Sequence, residues 1–288
     1  MSQHRCFLRV DLHPLSTRAD KPHAVSCVMH LNGLELHVEQ TGEGSPLVML
    51  HGLTANIESM RAEIDRLSRS RRVIAIDSRG HGRSDKPSAY TLTDHVDDVL
   101  GVMDALNLTQ VELMGSSMGS YIAQGVAIRA PARVKRLVLV TPKAHGATSS
   151  SARLLAQHAD ELQGKSEAEV QAFMFNLVFA PTTPAPVRAS MMASVQQQAQ
   201  DGLMLTPEQN LAANRALEGF DFRPDLPRVT AETLVISGRH DALNPPEEGE
   251  RIAQLIPGAR FEVLEHSGHV PNLEEPERFF ALIEAFLR

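Results

Sequence analysis

The feature that most constrains the fold is a regular alternation of short apolar runs with segments of helical periodicity. The apolar runs predict strands because they are short and rich in β-branched residues. They open at Met29 and then cover 34–39, 47–50, 72–77, 111–114, 134–140, 233–237 and 260–264. Strands that alternate with helices form mostly parallel sheets. We therefore predict an α/β fold: a mostly parallel twisted sheet with helices on both faces.

The segments between these strands carry helix signals of different strength. The clearest is 93–106, where apolar residues fall on one stripe at helical spacing. Thr91 and Asp94 stand before and inside its first turn, at the spacing of a capping box. Further helices are predicted at 57–67, 121–129, 246–255 and 276–287.

The alternation is interrupted between residues 143 and 228, where Ala, Gln, Met and Phe replace the β-branched runs. This composition predicts a helical cap, or lid, inserted after the sixth strand, which leaves 29–142 and 229–288 as the core. Residues 1–28 mix His, Pro, Ser and charge without a clear period and predict an irregular extension. The change in pattern there suggests the hypothesis that Met29 is the natural start.

Composition excludes several classes of function. A net charge of -7 disfavours nucleic acid as a partner, because phosphate binding needs a basic face. The only cysteines, Cys6 and Cys27, cannot build a disulfide framework for the rest of the chain. No apolar stretch predicts a secretory signal or a membrane span, and no cluster of ligands suggests a metal. We expect a cytoplasmic protein with a small-molecule partner and no cofactor, and a homodimer is possible.

The first chemical signal is Gly115-Ser116-Ser117-Met118-Gly119, which fits the G-x-S-x-G pattern. It follows the strand at 111–114 and precedes a helix, so Ser117 would lie on a tight turn with its hydroxyl exposed. The N-terminus of the next helix would point free N–H groups at the same place, where an oxyanion can be stabilised. The alternative is an ordinary glycine-rich helix entry.

A serine hydroxyl is a poor nucleophile at neutral pH and needs a histidine base, which an acid holds in the correct tautomer. Two loops after late strands supply such groups. Asp241 lies in "SGRHD" after the strand at 233–237, and His269 lies in "HSGH" after the strand at 260–264. This chain order, Ser then Asp then His, resembles the order found in α/β-hydrolases.

At this point the chain resembles the α/β-hydrolase family, from about residue 30 to its end. The matching segments are "MLHGLTAN", "AIDSRGHGRSDKP", "GSSMGS", "LVISGRHDALNPPE" and "HSGHVPNLEEPERFF". The resemblance implies that Ser117 is the nucleophile, His269 the general base and acid, and Asp241 the residue that orients the imidazole. It also implies an oxyanion hole made by the backbone N–H groups of Leu53 and Met118.

Each of these assignments has competitors in the sequence. His266 precedes His269 by three residues, but the family pattern of Gly-His followed by Pro matches Gly268-His269. Asp221 and Asp225 belong to the exit of the insertion, whereas Asp241 follows a strand of the sheet. His51 is a candidate substrate contact, with a turn-organising hydrogen bond as its alternative. The loop 77–84, "DSRGHGRS", is expected to shape the backbone without catalysing a step.

The insertion offers apolar side chains for a substrate, and the alternative is that these side chains form its own core. The candidate contacts are Phe173, Phe175, Phe179 and Met191. Serine at position 117 argues against the activities of those family members that use aspartate as the nucleophile at this position. Ser116 stands where carbon–carbon hydrolases often have Asn, and Ser120 replaces a common glycine. The resemblance implies an esterase or lactonase, similar to 3-oxoadipate enol-lactonases. The alternatives are a carbon–carbon hydrolase of diketone-type products of aromatic degradation and a non-catalytic ligand-binding homologue.

Overall fold

One eight-stranded sheet organises residues 24–147 and 149–288, which are the residues that this computed structural model describes. The strands are β1 (Ala24–Leu31), β2 (Leu34–Thr41), β3 (Pro46–Leu50), β4 (Arg72–Ile76), β5 (Val111–Ser116), β6 (Val134–Val140), β7 (Glu232–Gly238) and β8 (Arg260–Leu264). Their order across the sheet is β1-β2-β4-β3-β5-β6-β7-β8. β1 and β2 form an antiparallel hairpin and β2 is antiparallel to β4, whereas every other pair is parallel. The predicted mostly parallel sheet is confirmed.

The helices of the described residues connect these strands. They are α1 (Arg61–Leu67), α2 (Leu92–Ala105), α3 (Met118–Arg129), α4 (Ser150–Gln157), α5 (Ala159–Leu162), α6 (Glu167–Asn176), α7 (Ala185–Gln200), α8 (Pro207–Arg215), α9 (Pro246–Leu255), α10 (Pro271–Glu274) and α11 (Pro276–Leu287). The predicted capping box at the start of α2 is present, with Thr91 accepting from the Asp94 N–H. None of these helices combines the length and apolar character that crossing a bilayer requires.

The core lies in two layers, one on each face of the sheet. Alternation along β3 shows the division, because Val48 and Leu50 join the layer formed with α2, α3 and α9. Leu47 and Met49 point the other way and pack in the layer with α1 and α11. A strand with both faces covered in this way must be apolar at every position, which is why β3 reads as a continuous apolar run.

The sheet order creates a switch point beside β3. The chain passes from β3 to β4 on one side and then crosses to β5 on the other side. In open α/β sheets, ligands bind at such a switch point, beyond the carboxyl ends of the strands. α4 to α8 lie between β6 and β7, which confirms a helical insertion after the sixth strand.

The N-terminal boundary differs from the prediction. β1 begins at Ala24 rather than at Met29, so residues 24–28 are strand and not part of an irregular extension. The pairing of Ala24 with Thr41 extends the hairpin, and Cys27 and Met29 are its buried positions. The prediction for residues 1–23 falls outside the described residues.

Candidate active site

Ser117 lies in a sharp turn between β5 and α3. Its backbone has φ 50° and ψ -117°, a conformation that L-residues rarely adopt. The turn is held by its own hydrogen bonds: the Ser117 N–H donates to the Val140 carbonyl at 2.9 Å, and the Ser120 hydroxyl donates to the Ser117 carbonyl at 2.6 Å. The turn therefore holds Ser117 in this strained conformation at the end of a buried strand.

The two glycines of the motif are required by close backbone contacts. A Cβ on Gly115 would lie 2.1 Å from the Gly119 carbonyl oxygen. A Cβ on Gly119 would lie 2.2 Å from the Leu50 carbonyl oxygen, at the end of β3. The spacing G-x-S-x-G is thus a packing requirement, because a side chain at either glycine would push α3 away from the sheet.

Asp241 and His269 form a hydrogen-bonded pair after β7 and β8. His269 Nδ1 lies 2.8 Å from Asp241 Oδ2. The other carboxylate oxygen accepts the backbone N–H groups of Leu243 and Asn244, both at 2.9 Å. Asp241 is 3% exposed, so its charge is held by these donors rather than by water. With a proton on Nδ1, the imidazole keeps Nε2 as an acceptor.

The competitors lie elsewhere. His266 is exposed, and Asp221 and Asp225 are on the surface in ion pairs with Arg223 and Arg228. Ser117, Asp241 and His269 instead follow β5, β7 and β8 at the carboxyl edge of the sheet.

The loop after β3 approaches Ser117 closely. A Cβ on Gly52 would lie 3.5 Å from the Ser117 Cβ, so the loop that carries Leu53 borders the serine. Leu53 is half-buried, and Met118 is buried as the first residue of α3. These positions are compatible with the predicted pair of N–H donors.

His51 is a structural residue of this loop, and its candidacy as a substrate contact is not supported. Its Nδ1 lies 2.7 Å from the Gly52 carbonyl oxygen, and its Nε2 accepts the Ser78 N–H at 3.0 Å. The side chain is 1% exposed, and burial lowers its pKa, which favours the neutral ring. Both nitrogens are occupied by backbone groups, which matches the turn-organising alternative.

The loop 77–84 likewise holds neighbouring backbone segments in place through hydrogen bonds. The Asp77 carboxylate accepts the Ile57 N–H at 2.7 Å and the Arg83 N–H at 2.9 Å, and it contacts His37 Nδ1 at 2.9 Å. A Cβ on Gly82 would lie 2.3 Å from the Asp77 carboxyl carbon. The glycine is needed for the loop to wrap around this buried carboxylate.

Asn244 is a site residue that sequence reasoning missed. Its Nδ2 donates to the Tyr121 hydroxyl at 2.8 Å and to the Thr141 carbonyl at 2.7 Å. Its Oδ1 accepts the Ser150 hydroxyl at 2.9 Å. The side chain is 1% exposed and joins the acid loop to α3, β6 and the insertion. The only signal in the sequence is an Asn three residues after the acid.

The insertion meets the His269 turn through Val178 and Phe179. The His269 N–H donates to the Val178 carbonyl at 2.7 Å. Phe179 is 4% exposed, and its ring centroid lies 5.3 Å from that of Phe175. The Phe173 ring packs on the His158 ring, with their centroids 5.0 Å apart. Both residues belong to the insertion, as expected if Phe173 forms part of its own core. Met191 is half-buried on α7.

Comparison with known proteins finds relatives that match most of the chain. The chain is 31% identical over 271 residues to a 2-hydroxymuconate semialdehyde hydrolase from Pseudomonas putida, which covers 88% of this chain and 91% of the relative. It is 29% identical to a pimeloyl-(acyl-carrier protein) methyl ester esterase from Nitrosomonas europaea, over 87% and 98% of the two chains.

The enol-lactonase from Burkholderia xenovorans LB400 superposes with a TM-score of 0.76 at 27% identity, covering 90% of this chain and 99% of the other. The model of the α/β hydrolase fold family matches residues 45–276, from β3 to the last helix. The chain therefore belongs to the α/β-hydrolase family.

Proposed function

We propose that this hydrolase is a serine esterase or lactonase that cleaves a small, partly apolar ester through an acyl-enzyme. The observation that carries the proposal is the hydrogen-bonded pair of Asp241 and His269 at the sheet edge where the strained Ser117 turn also lies. The two related esterase and enol-lactonase chains support the reaction class.

In this mechanism, His269 Nε2 takes the proton of the Ser117 hydroxyl as the oxygen attacks the carbonyl carbon. Asp241 stabilises the imidazolium that forms, and the N–H groups of Leu53 and Met118 bind the oxyanion. The imidazolium then protonates the leaving alcohol. A water molecule, activated by the same imidazole, hydrolyses the acyl-enzyme and restores Ser117.

The insertion serves as a lid in this proposal. Phe175 and Phe179 are the apolar contacts that its geometry favours, because Phe179 directly follows the carbonyl bonded to His269. Met191 of α7 would contribute to the lining further from that point. Such a lid excludes water from the charged intermediate.

Carbon–carbon bond hydrolysis is the second candidate, and the 31% identical relative favours it. An anionic substrate would need a cation beside the serine. Arg188 of α7 instead donates to the Ala180 carbonyl at 2.7 Å and stacks on Phe179. Its charge is committed to the insertion itself, so Arg188 is not free to pair with a substrate carboxylate.

The test compares the wild type with Ser117→Ala on p-nitrophenyl esters from acetate to decanoate, alongside labelling by a fluorophosphonate. We expect kcat/KM to fall at least about 10³-fold and labelling to disappear. Ser116→Ala, one residue away, is the matched control and should keep both.

Turnover that survives in Ser117→Ala would overturn the mechanism. Labelling without turnover of these esters would indicate a competent nucleophile with another substrate, a lactone or a diketone. Saturable ligand binding with neither labelling nor turnover would indicate a binding homologue.

A further inference from the structure

The turn that carries His269 is held by the insertion as well as by the core. Its Gly268 N–H donates to Glu274 Oε2 at 2.7 Å, and its His269 N–H donates to the Val178 carbonyl at 2.7 Å. The Gly268 N–H is therefore satisfied by Glu274 of α10, six residues further along the chain, and the His269 N–H by the segment between α6 and α7.

Glu274 also reaches the insertion with its second oxygen. Oε1 accepts the Ala180 N–H at 2.7 Å and the Thr183 hydroxyl. The two carboxylate oxygens therefore bind different segments: one accepts from the His269 turn and the other from residues 180–183. Hydrogen bonds to an ionised carboxylate are stronger than neutral ones, so this bridge is a firm link.

The fit between the two segments leaves no room for a side chain at Gly268. A Cβ there would lie 2.5 Å from the Val178 carbonyl oxygen and 2.7 Å from the Phe179 carbonyl carbon. The insertion backbone therefore rests directly on the backbone of the turn.

Arg188 fixes the same segment from the side of α7. Its guanidinium donates to the Ala180 carbonyl at 2.7 Å and to the Thr183 carbonyl at 3.3 Å, and it lies 4.8 Å from the centre of the Phe179 ring. Residues 178–183 are thus held between Arg188 and Glu274. A displacement of this segment would be passed to the turn before His269.

We propose that Glu274 is a positioning residue that couples residues 178–183 of the insertion to the His269 turn, so that the general base is in place only when this segment is seated. The inference rests on the proposed role of His269. Positioning by a remote group matters because small misplacements of a base cost large factors in rate.

The chemistry of the bridge needs a glutamate. Gln offers one acceptor oxygen and one NH2 group, so on one side of the bridge an N–H of Gln would face the N–H of its partner. Asp keeps the charge but is one methylene shorter, so it cannot span both partners. If charge alone mattered, Asp would restore activity, whereas a positioning role predicts that it does not.

The experiment measures kcat, KM and the rate of fluorophosphonate labelling for Glu274→Gln, Glu274→Asp and Thr183→Val. We expect kcat and labelling to fall about 10-fold or more in both Glu274 variants with KM little changed, and less in Thr183→Val, which removes only one insertion donor. Glu277→Gln, exposed in the first turn of α11, is the control and should match the wild type.

Hydrogen exchange at the Gly268 and Ala180 amides gives a readout that does not depend on turnover. The proposal requires at least one of these amides to exchange faster in Glu274→Gln, namely the amide that faces the Gln NH2 group. Wild-type kcat and labelling in Glu274→Gln would overturn it, even with faster exchange, because the glutamate would then be merely structural. Full activity in Glu274→Asp would overturn it as well.

If the wild type neither labels nor hydrolyses esters, the proposed function fails, and the coupling is judged by the His269 imidazole resonances. They should shift in Glu274→Gln and in Thr183→Val, and unchanged resonances would refute the coupling. Thr183→Val also keeps the question decidable if a Glu274 variant does not fold.

Discussion

Glu63 gives a stability test that is independent of catalysis. It lies in α1 and is 6% exposed, and its Oε1 accepts a hydrogen bond from the Asn272 side chain at 2.7 Å. Its other oxygen is buried without a hydrogen-bond partner. Burial raises its pKa from the ordinary 4.5 to about 7. The folded protein therefore binds the proton of this carboxyl more tightly than the unfolded chain does.

The sign of the pH effect follows from this difference. Above pH 4.5 the unfolded chain releases the proton while the folded protein keeps it, so stability falls as pH rises and levels off above about pH 7. A difference of about 2.5 pKa units corresponds to about 3 kcal/mol in full. Between about pH 5 and pH 8.5, about 2.5 kcal/mol of it should be lost in the wild type.

Glu63→Gln removes the ionisation and keeps an oxygen for Asn272. Urea unfolding at pH 5 and pH 8.5 should show that the free energy of unfolding of the variant, relative to the wild type, rises by about 2.5 kcal/mol between these pH values. Glu43→Gln, at an exposed position between β2 and β3, should show no such change. An equal difference at both pH values for Glu63→Gln would refute the reasoning.

Three further predictions concern packing and catalysis. Gly119→Ala should prevent folding or abolish activity, since its Cβ would lie 2.2 Å from the Leu50 carbonyl oxygen; soluble protein with wild-type kcat would contradict this. Gly101→Ala, inside α2 with nothing nearer than 3.6 Å, should instead raise the free energy of unfolding by about 0.5–1 kcal/mol in urea titrations. Asp241→Asn should lower kcat about 10⁴-fold at unchanged melting temperature, because Asn can hold His269 in the wrong tautomer; a loss below about 10-fold would argue against the Asp241 role.

Local signals were predicted well because their physics is local. The capping box at Thr91 and Asp94 needs only the backbone of one helix turn, and it forms as predicted. The start of β1 was wrong by five residues, since Ala24 is strand only because it pairs with Thr41 across a hairpin. The first residues of this edge strand are exposed, so the sequence there shows little alternation of apolar and polar residues.

His51 shows how a residue type can suggest two roles that only geometry separates. A histidine beside a predicted oxyanion loop is a reasonable substrate contact on chemical grounds. The Ser78 N–H that occupies its Nε2 comes from the loop after β4, 27 positions away in the chain. No sequence pattern around His51 indicates that the Ser78 N–H is its partner.

The order of strands and helices, the serine turn and the succession of Ser117, Asp241 and His269 can all be predicted from the sequence, because periodicity and turn chemistry act within a few residues. The sheet order, with its switch point beside β3, and the partners of Asn244 and Glu274 could be read only from the folded chain. Glu274 meets Ala180 across 94 positions. Such a contact depends on how whole elements pack, and packing is a property of the folded chain rather than of any short segment.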